Sequence, residues 1–206
     1  MTTVRVGTMA DLDAVVETVA LAFVGDPAWD YMCGPGNDVA ARAFATLLYV
    51  GRARRGTVWI ADDGAAVSMW DRVDGVPLTG MDDLWHDFVA AAGRDVVDRV
   101  EAYDAAIKTL KPSAPFWYLG VLATHPDHQG RGLATAVLAP GLANADAEGW
   151  DAWLETSKPG NKDFYAGRGF TDVHPVEIPD GPPTWWIRRP ARVGLVPRPA
   201  PVRPTA

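Results

Sequence analysis

Apolar and polar positions along this chain repeat with two periods. Leu12, Val15, Val16, Val19 and Phe23 recur at helical spacing and predict an amphipathic helix over residues 10–24. Thr8 with Asp11 three residues on forms a capping signal before it, and Gly25 and Pro27 stop it. Phe44, Leu47 and Leu48 make the apolar stripe of a second helix over 39–52, and 26–37 between the two reads as a loop. Two more helical patterns span 81–92 and 94–110, separated by Gly93. Strand patterns fall at 4–6, 57–61 and 65–70, the last two joined by the hairpin signal Asp62-Asp63-Gly64. Residues 116–124 are apolar on both alternating faces, as a covered central strand requires, and Gly120 inside them predicts a bulge. A helix over 132–149 follows, with Pro140 predicting a kink or local break. The chain closes with a strand at 152–157, a short helix at 161–167, and strands at 171–178 and 184–189 about the turn 179–182.

Seven strands interleaved with helices predict one α/β domain over residues 1–190, its helical pair at 74–113 inserted between the third and fourth strands. Residues 191–206 are rich in Pro and Arg, poor in apolar side chains, and expected to be disordered. The chain has 206 residues, 48% of them hydrophobic, enough for a sizeable core. Its net charge of -7 argues against a nucleic-acid partner or an anionic membrane, and suits an amine-bearing acceptor. Cys33 is the single cysteine, so there is no internal disulfide. His86, His125, His128 and His174 lack metal-ligand spacing, and no metal is expected. No apolar run is long enough to cross a bilayer, so the expected address is the cytoplasm. Monomer and homodimer are equally compatible with the pattern.

The chemistry concentrates in His125-Pro126-Asp127-His128-Gln129-Gly130-Arg131-Gly132-Leu133-Ala134-Thr135, between the apolar strand and the next helix. A helix start exposes N–H groups without intrahelical partners, and its dipole favours negative charge, so the turn is built for an anion. Glycine at 130 and 132 permits close backbone approach. The turn is neither G-x-x-x-x-G-K-[ST] nor G-x-G-x-x-G; it reads Gln129-x-x-Gly132-x-Ala134. Arg52, Arg54 and Arg55 lie at a helix C-terminus, where they complement the dipole.

That motif after a strand resembles the pyrophosphate turn of the GCN5-related N-acetyltransferases (GNAT). A second block resembles the same family: Trp153-Leu154-Glu155-Thr156-Ser157, then Asn161-Lys162-Asp163-Phe164-Tyr165, then Gly169-Phe170. Residues 58–67, 126–130, 154–157 and 181–185 are similar to the puromycin N-acetyltransferase group within it. The resemblance implies the GNAT fold: a central mixed, mostly antiparallel seven-stranded sheet, splayed between strands 4 and 5 and flanked by helices. It implies acetyl-CoA as cofactor and direct transfer of the acetyl group to a primary amine of a small molecule, such as an antibiotic of the puromycin kind. A protein or peptide amine is the alternative acceptor, and a non-catalytic acyl-CoA-binding module the alternative function.

By the same resemblance, the pyrophosphate sits on the N–H groups of Gly130, Arg131, Gly132, Leu133, Ala134 and Thr135, beside Gln129, with Arg131 adding a charged contact. The backbone of Leu122, Ala123 and Thr124 pairs with the pantetheine arm as an added strand. Asn161 binds the cofactor or caps its own helix. Tyr165 is the general acid for the leaving thiolate and Glu155 the leading base, with Asp71 a weaker one. Tyr118 stands where some relatives carry a glutamate base, and is expected to order a water or line the pocket. His125 and His128 tune the phosphate turn. Trp29 and Tyr31 either wall the acceptor or pack onto the core.

Overall fold

The computed structural model describes residues 2–76, 79–113 and 115–192. The tail expected to be disordered lies outside the described residues from 193 onward. The strands are β1 (Val4–Val6), β2 (Val58–Ala61), β3 (Ala66–Val73), β4 (Phe116–Thr124), β5 (Asp151–Thr156), β6 (Asp172–Val176) and β7 (Thr184–Arg189). They form one sheet in the order β1-β2-β3-β4-β5-β7-β6. Every neighbouring pair is antiparallel except β4 and β5. This is the mixed, mostly antiparallel seven-stranded sheet that the resemblance implied.

The helices are α1 (Leu12–Ala22), α2 (Pro27–Cys33), α3 (Asp38–Ala53), α4 (Asp82–Ala92), α5 (Arg94–Lys108), α6 (Leu133–Glu148) and α7 (Asn161–Ala166). The first five share one apolar core with the sheet, where Val15, Phe44, Tyr49, Ile60 and Met69 are buried. Helices α6 and α7 cover the other face through Leu138, Tyr165, Trp70 and Leu154. Two layers of helix on one sheet bury both of its faces, which is why β4 reads as apolar throughout. The helical pair α4–α5 falls between β3 and β4, as its periodicity predicted.

Two expectations are corrected. Residues 26–37 are not a loop: Pro27–Cys33 is helical. The Asp26 carboxylate accepts from the N–H groups of Ala28 (3.0 Å) and Trp29 (3.2 Å), and Pro27 occupies the first helical position. An acidic N-cap followed by proline is a helix start, though directly after Gly25 it also reads as a stop. Of the kink or local break expected at Pro140, the break is absent: α6 runs unbroken from Leu133 to Glu148. Packing holds it there. At Gly141 a Cβ would lie 2.3 Å from the Trp70 ring, so this face of the helix presses directly on β3. The buried Ser68 hydroxyl donates to the Val137 carbonyl at 2.6 Å, a further tie between β3 and α6. At the other end of the fold, the Thr8 N–H donates to Asp11 at 2.8 Å, and one turn of 3-10 helix (Met9–Asp11) precedes α1.

The predicted bulge is at Gly120. Met69 faces Val121 while Trp70 faces Leu119, leaving Gly120 as the extra residue. Its effect appears in the core. Phe116 and Tyr118 pack with the five-helix face, and so do Val121 and Ala123, so the parity of inward positions reverses across the glycine.

Candidate active site

The site is built where two paired strands part. β4 and β5 are in register only over Phe116–Leu119 and Asp151–Leu154. Beyond that, β4 bends at the bulge and β5 continues against β7 through Thr156. The opening is part of a cavity of about 1000 Å³ whose wall includes Leu122, Ala123 and Thr124 on one side and Glu155, Thr156 and Ser157 on the other. The Thr124 hydroxyl in that wall is buried and has no partner.

At one end the cavity reaches the turn into α6. Gly130 and Gly132 take φ of 75° and 79°, where a side chain would be strained, and Gly132 is the residue that starts the helix. The His125 ring accepts from the Asp127 N–H at 3.2 Å and so fixes the turn, while His128 contributes a backbone bond, its N–H donating to the His125 carbonyl at 2.8 Å. Gln129, Gly130, Gly132, Leu133, Ala134 and Thr135 all line the cavity. Arg131 does not: it is exposed and folds back to donate to the Asp127 carbonyl at 3.2 Å. Arg168 lines the cavity beside the turn instead. Its guanidinium bonds the Thr135 hydroxyl, donates to the Phe164 carbonyl at 2.6 Å, and lies 3.5 Å from the Phe164 ring centre. Sequence reading missed Arg168, although it lies three residues past Tyr165 at the end of α7, where a basic residue complements the dipole. Asn161 also lines the wall; its amide donates to the Thr156 hydroxyl at 3.1 Å, and Gly160, not Asn161, caps α7.

The middle of the cavity holds the titratable pair. The Tyr118 hydroxyl donates to Glu155 Oε1 at 2.7 Å, and Oε2 is buried without a partner. Burial pushes the Glu155 carboxyl up to about 7, against the Tyr118 hydrogen bond and the positive charges of Lys111 and Arg52. A carboxylate poised there can take a proton at neutral pH. Tyr118 is held well above the usual phenol range by burial and by the adjacent carboxylate, so it is a donor and not a base. Tyr165 is 8% exposed, lines the cavity, and packs edge-on to Phe164 and Phe170. Burial first, then the Glu155 and Asp26 charges, raise its hydroxyl above the phenol range, so it keeps its proton. Asp71 is not free to act as a base, being clamped by Arg52 at 2.6 Å and Arg55 at 2.5 Å. Those two arginines were expected to serve the helix dipole. Arg52 does lie in the last turn of α3, donating to the Leu48 carbonyl at 3.1 Å, and it also fills the space left by Gly120, whose Cβ would lie 2.5 Å from Arg52 Nη2.

The other end is a chamber between helices. Trp29 is both core and wall: it stacks on Phe23 at 4.5 Å, meets Phe44 at 5.3 Å, and faces the cavity. Tyr31 is outside the cavity wall. Its hydroxyl donates to the Pro179 carbonyl at 3.0 Å, tying α2 to the turn before β7. Among the described residues, no group of three or more potential ligands is placed to hold a metal ion. No described helix is long and apolar enough to cross a membrane.

Residues 80–170 match the model of the acetyltransferase (GNAT) family. Solved structures share the fold over nearly the whole chain. One from Corynebacterium glutamicum, described as histone acetyltransferase HPA2 and related acetyltransferase, is 24% identical with a TM-score of 0.67, covering 100% of this chain and 99% of its own. The polyamine N acetyltransferase of Drosophila melanogaster, which forms N acetylagmatine, is 11% identical with a TM-score of 0.67, covering 92% and 100%. Arylalkylamine N-acetyltransferase 2 of Aedes aegypti is 12% identical with a TM-score of 0.62, covering 91% and 97%.

Proposed function

We propose that this chain, a member of the GNAT acetyltransferase family, moves an acetyl group from acetyl-CoA directly to the primary amine of a small molecule. The observation that carries the reading is the continuity of the cavity. One space joins the glycine turn, the gap between β4 and β5, the Glu155–Tyr118 pair and the helical chamber. Two reactants can therefore meet without a covalent enzyme intermediate, and positioning supplies much of the rate.

The residues present fit acetyl-CoA. The N–H groups at the start of α6 and the Arg168 guanidinium would hold its phosphates. The unpaired edge of β4 from Leu122 to Thr124, with the unpartnered Thr124 hydroxyl and the Asn161 amide, would hold the pantetheine arm. Bound acetyl-CoA supplies the thioester. Glu155 takes the proton of the incoming ammonium, directly or through water. The neutral nitrogen would then be free to bond the acetyl carbon as the carbon–sulfur bond breaks. Tyr165 would give its proton to the leaving sulfur and regain one as the new amide loses its extra proton.

Structural neighbours named for polyamine, agmatine and arylalkylamine acetylation support a small amine as acceptor. The similarity of residues 58–67, 126–130, 154–157 and 181–185 to the puromycin N-acetyltransferase group makes puromycin the first antibiotic to assay. Such a reaction belongs in the cytoplasm, where acetyl-CoA and free amines coexist. The test is release of CoA from acetyl-CoA by the purified chain with a panel of primary amines, alongside titration of acetyl-CoA by calorimetry. Micromolar binding and amine-dependent release are expected. Binding without release for any amine would reduce the chain to an acyl-CoA-binding module, and absence of binding would sink the reading.

A further inference from the structure

The helical end of the cavity carries four acidic side chains on its wall, and three are already neutralised. Asp26 caps α2 and faces Lys158 Nζ at 3.4 Å. Asp71 is clamped between Arg52 and Arg55. Asp104 pairs with Lys108 at 2.5 Å. The fourth, Glu101, is solvent-exposed on α5, where attraction for a cation is screened. Glu155 lies deeper, at the reacting pair.

The cations on the same wall are set against these carboxylates and Glu155. Asp71 serves two arginines, and the Arg55 side chain is 30% exposed. Lys111 Nζ lies 5.7 Å from the centre of the Tyr118 ring, the same ring whose hydroxyl bonds Glu155, and makes no ion pair among the described residues. With Glu155 engaged by the first amine, a second ammonium or guanidinium on an acceptor would therefore find the buried carboxylates of this wall already paired. The rest of the wall is apolar and ring-lined: Phe23, Trp29 and Phe44 in contact, with Trp85, Met81 and Ile107 nearby on the same cavity. Such a surface rewards burial of a ring or a large apolar body.

From this charge distribution we infer that the acceptor is a monoamine, one primary amine on a bulky ring-bearing apolar body, and that the chamber discriminates against polyamines and guanidino-amines. The inference rests on the N-acetyltransferase reading above. Its test measures kcat/KM by CoA release, with the full chain at saturating acetyl-CoA and pH 8, for tryptamine, phenethylamine and puromycin against spermidine and agmatine. At least one monoamine is expected to exceed both polycations by tenfold or more. Arg55→Gln is expected to narrow that ratio at least threefold, by removing repulsion. Trp85→Ala is expected to raise KM for the preferred monoamine at least fivefold without raising KM for spermidine. Spermidine or agmatine turned over as well as the monoamines would overturn the inference and leave the acetyltransferase reading standing. A ratio unmoved by both variants would overturn it too. Release with none of the five acceptors, with acetyl-CoA still bound, overturns it while keeping the cofactor site, whereas loss of acetyl-CoA binding removes the underlying reading.

Discussion

The two ends of the cavity are built in opposite ways. The end proposed to take the phosphates is one continuous piece of chain, β4 into the turn into α6, and what it would offer a ligand is mostly backbone N–H. The chamber end is assembled from side chains of five helices, from Ala22 on α1 to Ile107 on α5, 85 residues apart in sequence. A backbone site depends on where glycine permits left-handed φ and on where a helix begins, and both are local properties of the sequence. A side-chain chamber depends on which helix faces meet, which is settled by tertiary packing. The phosphate end can therefore be recognised from eleven residues, while the acceptor end cannot.

The proposed base Glu155, with Tyr118, joins the two, and the largest effect is expected there. Glu155→Gln should lower kcat/KM by about 10²–10⁴-fold if the carboxylate is the base. In the parent chain kcat/KM should rise with pH through an inflection near 7, where Glu155 loses its proton, and the variant should lack that limb. Stability should move the other way. The folded carboxyl is raised above its ordinary value by burial, so ionising it costs stability progressively from about pH 4.5 upward, and the cost is complete above 7. Glu155→Gln should then melt higher than the parent at pH 8, by about 2–4 °C for each kcal/mol relieved, with no gain near pH 4. An unchanged pH profile would show the base to lie elsewhere, and with it the meeting point of the two ends.

Much of this geometry is visible in the residues and some is not. Gly120 within an apolar run announced a bulge, and the bulge parts β4 from β5. Gln129 to Thr135 announced the turn, and Asn161 with Tyr165 announced the second wall. The N-cap at Asp26 was legible in principle, because an acidic N-cap followed by Pro at the first helical position is a helix-start signal. The clamp of Arg52, on α3, and Arg55, just past it, on Asp71 of β3 joins residues 19 and 16 positions apart, and no local pattern encodes it. Tyr118 and Glu155 are 37 apart, and each becomes informative only once the other is seen at 2.7 Å.

The next effect separates chemistry from binding. Tyr165→Phe keeps the ring against Phe164 and Phe170 and removes the proton donor. A fall in kcat of about 10²-fold is expected with the Kd for acetyl-CoA unchanged by calorimetry. A rise in Kd with kcat intact would make Tyr165 part of the cofactor wall and not the acid. Gly132→Val tests the backbone-built end directly. At φ of 79° a β-branched residue is strained by roughly 1–2 kcal/mol, so the turn should open and the Kd for acetyl-CoA rise about tenfold, with KM for the amine little changed at saturating acetyl-CoA.

The smallest expected difference is the sharpest test of what belongs to the phosphate end, because it sets two arginines against each other. Arg131 sits inside the motif and Arg168 outside it, so sequence position alone favours Arg131. Their surroundings favour the reverse. Arg131 is exposed and bonded to the Asp127 carbonyl, away from the cavity. Arg168 is held from two sides, by the Phe164 carbonyl and the Thr135 hydroxyl, with its plane against the Phe164 ring, and it faces the cavity. A guanidinium ordered before the ligand arrives loses little freedom on binding an anion, while an exposed one must be ordered and is screened by salt. Arg168→Ala should raise the Kd for acetyl-CoA about five- to tenfold, roughly 1–1.4 kcal/mol, and Arg131→Ala less than twofold. Calorimetry at two salt concentrations decides the matter. If Arg131→Ala costs more than Arg168→Ala, and more so at low salt, the turn rearranges around its ligand and the phosphate end is not preformed.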